Sequence, residues 1–171
     1  MSATALLLNG AVGAGKTTTA EAIGDLLREH RIPYAVLDLD RINDAWPPPD
    51  GDPFNLGLQV ENLAALSASL LRRGATRLVL AGVAENADAV ERYAGAVGVP
   101  LIVCRLRVSV VRMGDRLRER ESGVALDRHL RRSLELAELL ETADGDDLII
   151  DVDDESPEEV ARAVLGRVGW I

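Results

Sequence analysis

Apolar residues along this chain follow two rhythms in turn, and their alternation sets the order of elements. Residues 5–8 (Ala-Leu-Leu-Leu) form a short continuous apolar run suited to a strand buried on both faces, β1. From residue 16 to 30, Ala20, Ile23, Leu26 and Leu27 recur at helical spacing, α1. Residues 34–37 predict β2, which runs into Asp38-Leu39-Asp40. Pro47-Pro48-Pro49 and Asp50-Gly51-Asp52-Pro53 then mark a loop, because neither a helix nor a central strand accepts that density of proline and glycine. Residues 56–73 read as α2, with Leu56, Val60, Leu63, Leu66, Leu70 and Leu71 on a helical period and Gly74 as the stop. The remaining pattern predicts β3 at 77–83, α3 at 87–97, β4 at 101–106, α4 at 109–121 and α5 at 126–141, with a break at Ser122-Gly123. β5 lies within 147–152, and Ser156-Pro157-Glu158-Glu159 opens α6 with a capping serine and a proline at the first helical position. There is no internal repeat.

Five apolar strands alternating with helices predict an α/β domain over residues 1–171, a parallel sheet covered by helices on both faces. In such sheets ligands gather outside the carboxyl ends of the strands. The residues found there are chemically selective. After β1 comes Gly10-Ala11-Val12-Gly13-Ala14-Gly15-Lys16-Thr17, a complete G-x-x-x-x-G-K-T phosphate-binding loop in its required strand–loop–helix setting. The glycines Gly10, Gly13 and Gly15, with Ala14, let backbone N–H groups converge on phosphate oxygens, and the helix N-terminus adds partial positive charge. The Thr17 hydroxyl is a candidate Mg²⁺ ligand, and Thr18 and Thr19 belong to the first turn of α1. After β2 stand Asp38 and Asp40, after β3 Glu85 and Asn86, after β4 an arginine-rich segment, and after β5 residues 153–156.

These strand ends resemble those of the P-loop small-molecule kinases, the group that holds shikimate, gluconate and adenylylsulfate kinases, chloramphenicol phosphotransferase and the nucleoside monophosphate kinases. The resemblance runs along nearly the whole chain and is strongest in GAVGAGKT, LDLDRINDAWP and RLRERESG. It implies a sheet of order 2-3-1-4-5, ATP and Mg²⁺ as cofactors, a lid over about residues 112–132 and an acceptor-binding region over about 41–62. DRINDAWP matches in spacing the segment that carries the base in chloramphenicol phosphotransferase. By that match Asp40 accepts or orients the acceptor hydroxyl proton and Asp38 stands nearer the Mg²⁺ shell, with the swapped assignment left open. Arg116-Leu117-Arg118-Glu119-Arg120 is similar to the R-L-x-x-R at the lid of gluconate kinase, which implies Arg116 over the adenine and Arg120 on the transferring phosphate. Arg116 and Arg120 share a helix face at i,i+4, whereas Arg118 projects elsewhere. Arg128, Arg131 and Arg132 are reserve candidates. Trp46, Asn55, Gln59, Asn62, Glu85 and Asn86 are candidates for the acceptor, against the plain alternative of a core tryptophan and a solvated helix face.

Departures from the group narrow the expectation. β3 lacks the aspartate that ends a Walker B strand. The triple glycine that shikimate kinase carries after β3 is absent, Asp38-Leu39-Asp40 replaces the D-G-D of adenylylsulfate kinases, and no monophosphate-binding arginine pair precedes β3.

Charge sharpens the picture in two places. Lys16 is the only lysine beside eighteen arginines, and it occupies the one position where a planar guanidinium cannot replace a compact ammonium. A guanine-reading N-K-x-D motif, which needs a second lysine, is therefore absent. The net charge of −9 argues against nucleic acid or a membrane surface as partner. Nine of the eighteen arginines nevertheless fall between Arg105 and Arg132, where arginine suits the charge that spreads over a phosphoryl group in transfer. Cys104 is the only cysteine, which leaves neither a disulfide nor a cysteine-based zinc site, and His30 and His129 have no third ligand near them. Without a charged n-region or an apolar run near about 20 residues, a cytoplasmic protein is expected. The helices carry no distinct dimer signature.

The function expected from these residues is transfer of a phosphoryl group from ATP to a hydroxyl of a small metabolite or natural product. A nucleoside or nucleotide kinase, and a P-loop ATPase or nucleotide-binding regulator without an acceptor, are the competing readings.

Overall fold

A computed structural model describes residues 2–120 and 122–171, apart from the side chains of residues 120 and 125. Its elements follow the predicted order: β1 Thr4–Asn9, α1 Lys16–Glu29, β2 Tyr34–Asp38, α2 Leu56–Arg72, β3 Arg77–Ala81, α3 Ala87–Val97, β4 Leu101–Arg107, α4 Val110–Arg120, α5 Gly123–Thr142, β5 Leu148–Asp151 and α6 Pro157–Val168. The strands form one sheet of order β2-β3-β1-β4-β5, and every neighbouring pair is parallel. β1 sits at the centre, with Leu6 opposite Val79 on one side and Ile102 on the other. Its residues therefore have to be apolar on both faces.

Strand alternation divides the core accordingly. Leu6, Leu8, Val79, Ala81, Cys104 and Leu106 face α1 and α6, where Ile23, Leu27 and Val164 meet them. Ala5, Leu7, Leu78, Leu80 and Val103 face α2 and α3, against Leu63, Tyr93 and Val97. Burial pushes the Cys104 thiol up to about 12, as suits an inert core group. Trp170 anchors the C-terminal end in the first of these cores, with the Arg77 guanidinium 5.2 Å from its ring centroid. A third apolar cluster joins Ala11 of the phosphate loop to Met113 and Leu117 of α4 and Leu136 of α5. The arginine-rich helices are thus seated directly on the loop.

Local chemistry sets several boundaries. α6 opens on a full capping box, with Glu159 N donating to Ser156 Oγ at 3.3 Å and Ser156 N to Glu159 Oε2 at 2.8 Å. At the start of α2 Asp52 takes the amides of Leu56 and Gly57 at 2.8 and 2.9 Å, and those bonds hold its carboxyl below the ordinary carboxylate range. β3 ends at Ala81, two residues earlier than its apolar run predicts, and the backbone that follows lies tight against Leu39. A Cβ on Gly82 would lie 2.6 Å from Leu39 Cδ1 and 3.0 Å from its Cβ and Cγ. Leu39 is fully buried between the two β2 aspartates, so it has nowhere to retreat. Gly82→Ala is expected to cost about 1–3 kcal/mol of stability, read from the urea midpoint at constant m-value.

Candidate functional site

The phosphate loop takes a shape that only its glycines permit. Gly10 has φ 147° and lies so close to β4 that a Cβ would stand 2.7 Å from Leu106 O; Gly15 has φ 88° and forms the N-cap of α1. The base of the loop is tied to the neighbouring strand end by the buried Asn9. Its Oδ1 accepts from Gly10 N at 2.9 Å and Ala84 N at 3.0 Å, while its Nδ2 donates to Ala84 O at 3.0 Å. Lys16 Nζ donates to Gly10 O at 2.9 Å and Ala11 O at 3.0 Å, which aims the ammonium across the mouth of the loop. Thr18 Oγ1 donates to Gly15 O at 3.0 Å and Thr19 is buried, in keeping with first-turn roles.

Gly13, Gly15, Lys16, Thr17, Asp40 and Arg116 line a cavity of about 300 Å³ at the N-terminus of α1. The two β2 aspartates enter this region differently. β2 ends at Asp38, but Leu39 N still donates to Ala81 O at 2.8 Å, so the extended backbone continues and the Leu39 side chain turns into the core. Asp38 and Asp40 therefore fall on the loop side together. Thr17 Oγ1 donates to Asp38 Oδ2 at 3.1 Å, and Asp38 Oδ1 accepts from Asp40 N at 3.0 Å. Asp40 instead faces the cavity. Close packing of protein around its carboxyl raises the pKa above the ordinary aspartate value; Lys16 draws it back in part, and the negative charge of Asp38 pushes it up again.

A hydroxyl and a carboxylate converging beside phosphate-binding amides make a donor set of the kind Mg²⁺ takes, alongside phosphate oxygens and water. The residue directly after β3 is Gly82, where a side chain would run into Leu39, so no carboxylate stands at that position. Among the described residues no group of three or more histidine, cysteine, aspartate or glutamate side chains could hold a metal by itself.

On the far side of the loop Arg116 bridges two segments. Its Nη2 donates to Val152 O at 2.6 Å and Asp153 O at 2.9 Å, and Nη1 reaches Gly13 O at 3.5 Å. Arg116 also lines a second cavity of about 260 Å³, with Gly15, Thr18, Val152, Pro157 and Val160. Arg118 points elsewhere, to Asp115 at 3.2 Å. Arg120, the other lid arginine read from the sequence, has its side chain outside the described residues.

Solved structures repeat this architecture over almost the whole chain. The APS kinase of Mycobacterium tuberculosis, in complex with AMPPNP and APS, is 19% identical, covers 98% of this chain and 98% of its own, and superposes with a TM-score of 0.63. The tunicamycin resistance protein of Deinococcus radiodurans is 22% identical over 99% of this chain and 96% of its own, with a TM-score of 0.64. The shikimate kinase of Acinetobacter baumannii, in complex with shikimate, is 18% identical over 99% and 94%, with a TM-score of 0.63. No family model matches the chain, and no curated relative matches it by sequence. The fold is that of the P-loop small-molecule kinases.

In this kinase fold the side beyond Asp40 holds a third cavity, of about 290 Å³, which shares Val83 with the phosphate cavity. Here the structure departs from several sequence expectations. Trp46 is 90% exposed and lines none of the cavities, so it is neither a core residue nor, in this arrangement, a wall of the site. Phe54, at the end of the same loop, lines the cavity instead. The amides at the start of α2 and on its first turns bond to backbone, although Gln59 also lines the cavity. Asn55 Nδ2 donates to Asn43 O at 3.1 Å and Ala45 O at 2.8 Å, Gln59 Nε2 to Leu39 O at 3.0 Å, and Asn62 Nδ2 to Ile42 O at 2.6 Å. Their work is to clamp the 39–45 segment, and with it Asp40, against α2.

Glu85 does line the cavity, where it pairs with Arg132 of α5. The Arg132 guanidinium lies 5.9 Å from the Phe54 ring centroid. Of the reserve arginines Arg132 lines this cavity, and Arg128, Arg131 and Arg132 together line a neighbouring cavity of about 790 Å³ with Val12 and Phe54. The next residue, buried Ser133, donates from Oγ to Val12 O at 2.8 Å, so one turn of α5 touches both this cavity and the phosphate loop. Tyr93, Arg92 and Phe54 also line this cavity, and the sequence reading did not select them. Tyr93 falls on the core face of α3, where its hydroxyl could not be distinguished from a packing ring. Among the described residues no helix is long and apolar enough to cross a membrane.

Proposed function

We propose that this protein is an ATP-dependent phosphotransferase that moves the γ-phosphoryl group to a hydroxyl of a small metabolite or natural product. The observation that carries the reading is the position of Asp40, on the wall of the phosphate cavity, which shares Val83 with the neighbouring cavity of about 290 Å³. A carboxylate so placed accepts or orients the hydroxyl proton of a molecule lying next to the γ-phosphate. A hydrolase activating only water has no use for an adjoining cavity of this size.

The remaining roles follow from charge and reach. Backbone amides of the 10–17 loop and Lys16 hold the β- and γ-phosphates from below, and Arg116 covers the base in the cavity it shares with Val152 and Pro157. Arg120 is the lid arginine assigned to the transferring phosphate. Thr17 and Asp38 would hold Mg²⁺, which supplies charge neutralisation at the β/γ oxygens when bound. The clamp of Asn55, Gln59 and Asn62 keeps Asp40 in register with the loop, and α4 and α5, resting on Ala11, close over the site and exclude water.

ATP turnover measured with and without a panel of hydroxylated acceptors tests the reading. Turnover is expected to rise at least tenfold with a competent acceptor, with phosphorylated product seen by mass spectrometry. Hydrolysis at full rate without any acceptor would sink it.

A further inference from the structure

The acceptor cavity has less hydrogen-bonding capacity than its residue types suggest. Gln59 is engaged at both ends, since its Nε2 donates to Leu39 O and its Oε1 lies 2.5 Å from the Tyr93 hydroxyl. That hydroxyl also lies 3.1 Å from Val83 O. Asn86 Oδ1 accepts from Ala89 N at 2.9 Å as the N-cap of α3. Glu85 and Arg132 pair with each other, which cancels their charge and ties up one oxygen and one nitrogen. Beside these polar groups the cavity presents Phe54, Leu56, Val60, Val83, Ala89 and the Tyr93 ring. Phe54 is 64% exposed and offers its ring at the mouth. The other cation of the wall is Arg92.

We infer that the acceptor is a hydroxyl-bearing molecule with an apolar, ring-containing body and a carbonyl or carboxylate group facing Arg92, and not a sugar, sugar acid or polyol. The inference rests on the phosphotransferase reading for its hydroxyl and on the cavity wall for its body. Its physical basis is asymmetric. A polyol hydroxyl set against Val60, Val83 or Ala89 gives up water without a partner there, at about tenfold in affinity each, whereas a ring gains by leaving water at the same wall. A cavity of about 290 Å³ admits a molecule of one or two rings.

Two panels of hydroxyl compounds of matched size separate the outcomes. One holds phenyl-substituted diols and hydroxylated aryl amides and carboxylates; the other holds gluconate, shikimate, glucose and inositol. Affinity for the full chain loaded with Mg²⁺ and AMPPNP is measured by calorimetry and saturation-transfer NMR, and phosphorylation is measured separately with ATP. At least one ring compound is expected to bind tenfold or more tightly than every polyol, and Ala89→Trp, which fills the cavity, to weaken it at least tenfold. If circular dichroism shows that Ala89→Trp does not fold, Val60→Asn, which makes the same wall polar, carries the test. The inference is overturned if polyols bind as tightly, if no ring compound binds, or if the cavity variant leaves affinity unchanged. Ring binding without transfer supports the acceptor class and counts against the phosphotransferase, while transfer to a polyol does the reverse.

Discussion

Lys16→Ala is expected to reduce kcat/KM for ATP by at least 10²–10³-fold, and Lys16→Arg to fail nearly as badly. The ammonium is held by Gly10 O at 2.9 Å and Ala11 O at 3.0 Å, at the mouth of a loop whose backbone has no slack. Gly10 is in contact with β4 and Gly15 occupies a left-handed conformation, so the loop cannot widen to admit a longer planar cation. A guanidinium in that position would point its fork past the phosphates or displace the loop from Leu106 O. The chain uses arginine at every other basic position, so substitution by arginine is the sharper of the two tests. Steady-state kinetics with the best acceptor of the panel, beside titration of a fluorescent ADP analogue, separate lost chemistry from lost binding. Robust turnover in Lys16→Arg would refute the geometric account.

Asp40→Asn is expected to lower kcat by about 10²–10⁴-fold while nucleotide affinity survives, because its carboxylate faces the cavity and contributes no described contact to the loop backbone. The pH dependence provides an independent signature. Partial desolvation raises the Asp40 pKa above 3.8, so the acid limb of kcat/KM lies above the ordinary aspartate value and disappears in the asparagine variant. The stability effect has the opposite sign. With its folded pKa above the unfolded value, the native state binds the proton more tightly; stability falls as pH rises from 3.8 through the raised value, and the deficit persists at neutral pH. Asp40→Asn is therefore expected to melt at a higher temperature than the parent at pH 7, a less active and more stable protein. Asp38→Asn is expected instead to raise the Mg²⁺ concentration needed for half-maximal rate, since its partner is the Thr17 hydroxyl at 3.1 Å. An unchanged rate in Asp40→Asn together with loss of the acid limb in Asp38→Asn would exchange the two roles.

How far the site was legible depended on how locally its chemistry is encoded. The phosphate loop is contiguous, and its glycines, lysine and threonine can be recognised without knowing what surrounds them. The strand-end rule brought Asp38, Asp40, Glu85 and the arginine segment to one edge of the sheet, and they are there. The sequence does not show which partner a side chain finds far along the chain. Gln59 lines the cavity beyond Asp40, yet its Nε2 is given to Leu39 O, twenty residues back. Asn55 likewise serves the backbone of Asn43 and Ala45. Trp46 had the right chemistry for an acceptor wall, yet the loop turns it outward and Phe54 takes the place.

The sequence by itself determined the order of the elements, the parallel sheet and the presence of a phosphate loop, because apolar periodicity and glycine-dependent turns are properties of neighbouring residues. Only the tertiary structure decided which amides remain available to a ligand, that Asp40 faces the cavity while Asp38 holds Thr17, and that Arg132 meets Glu85 across 47 positions of chain. A hydrogen-bonding group is available or engaged according to what stands within about 3 Å of it. That distance is set by the packing of helices on the sheet, which no local pattern records.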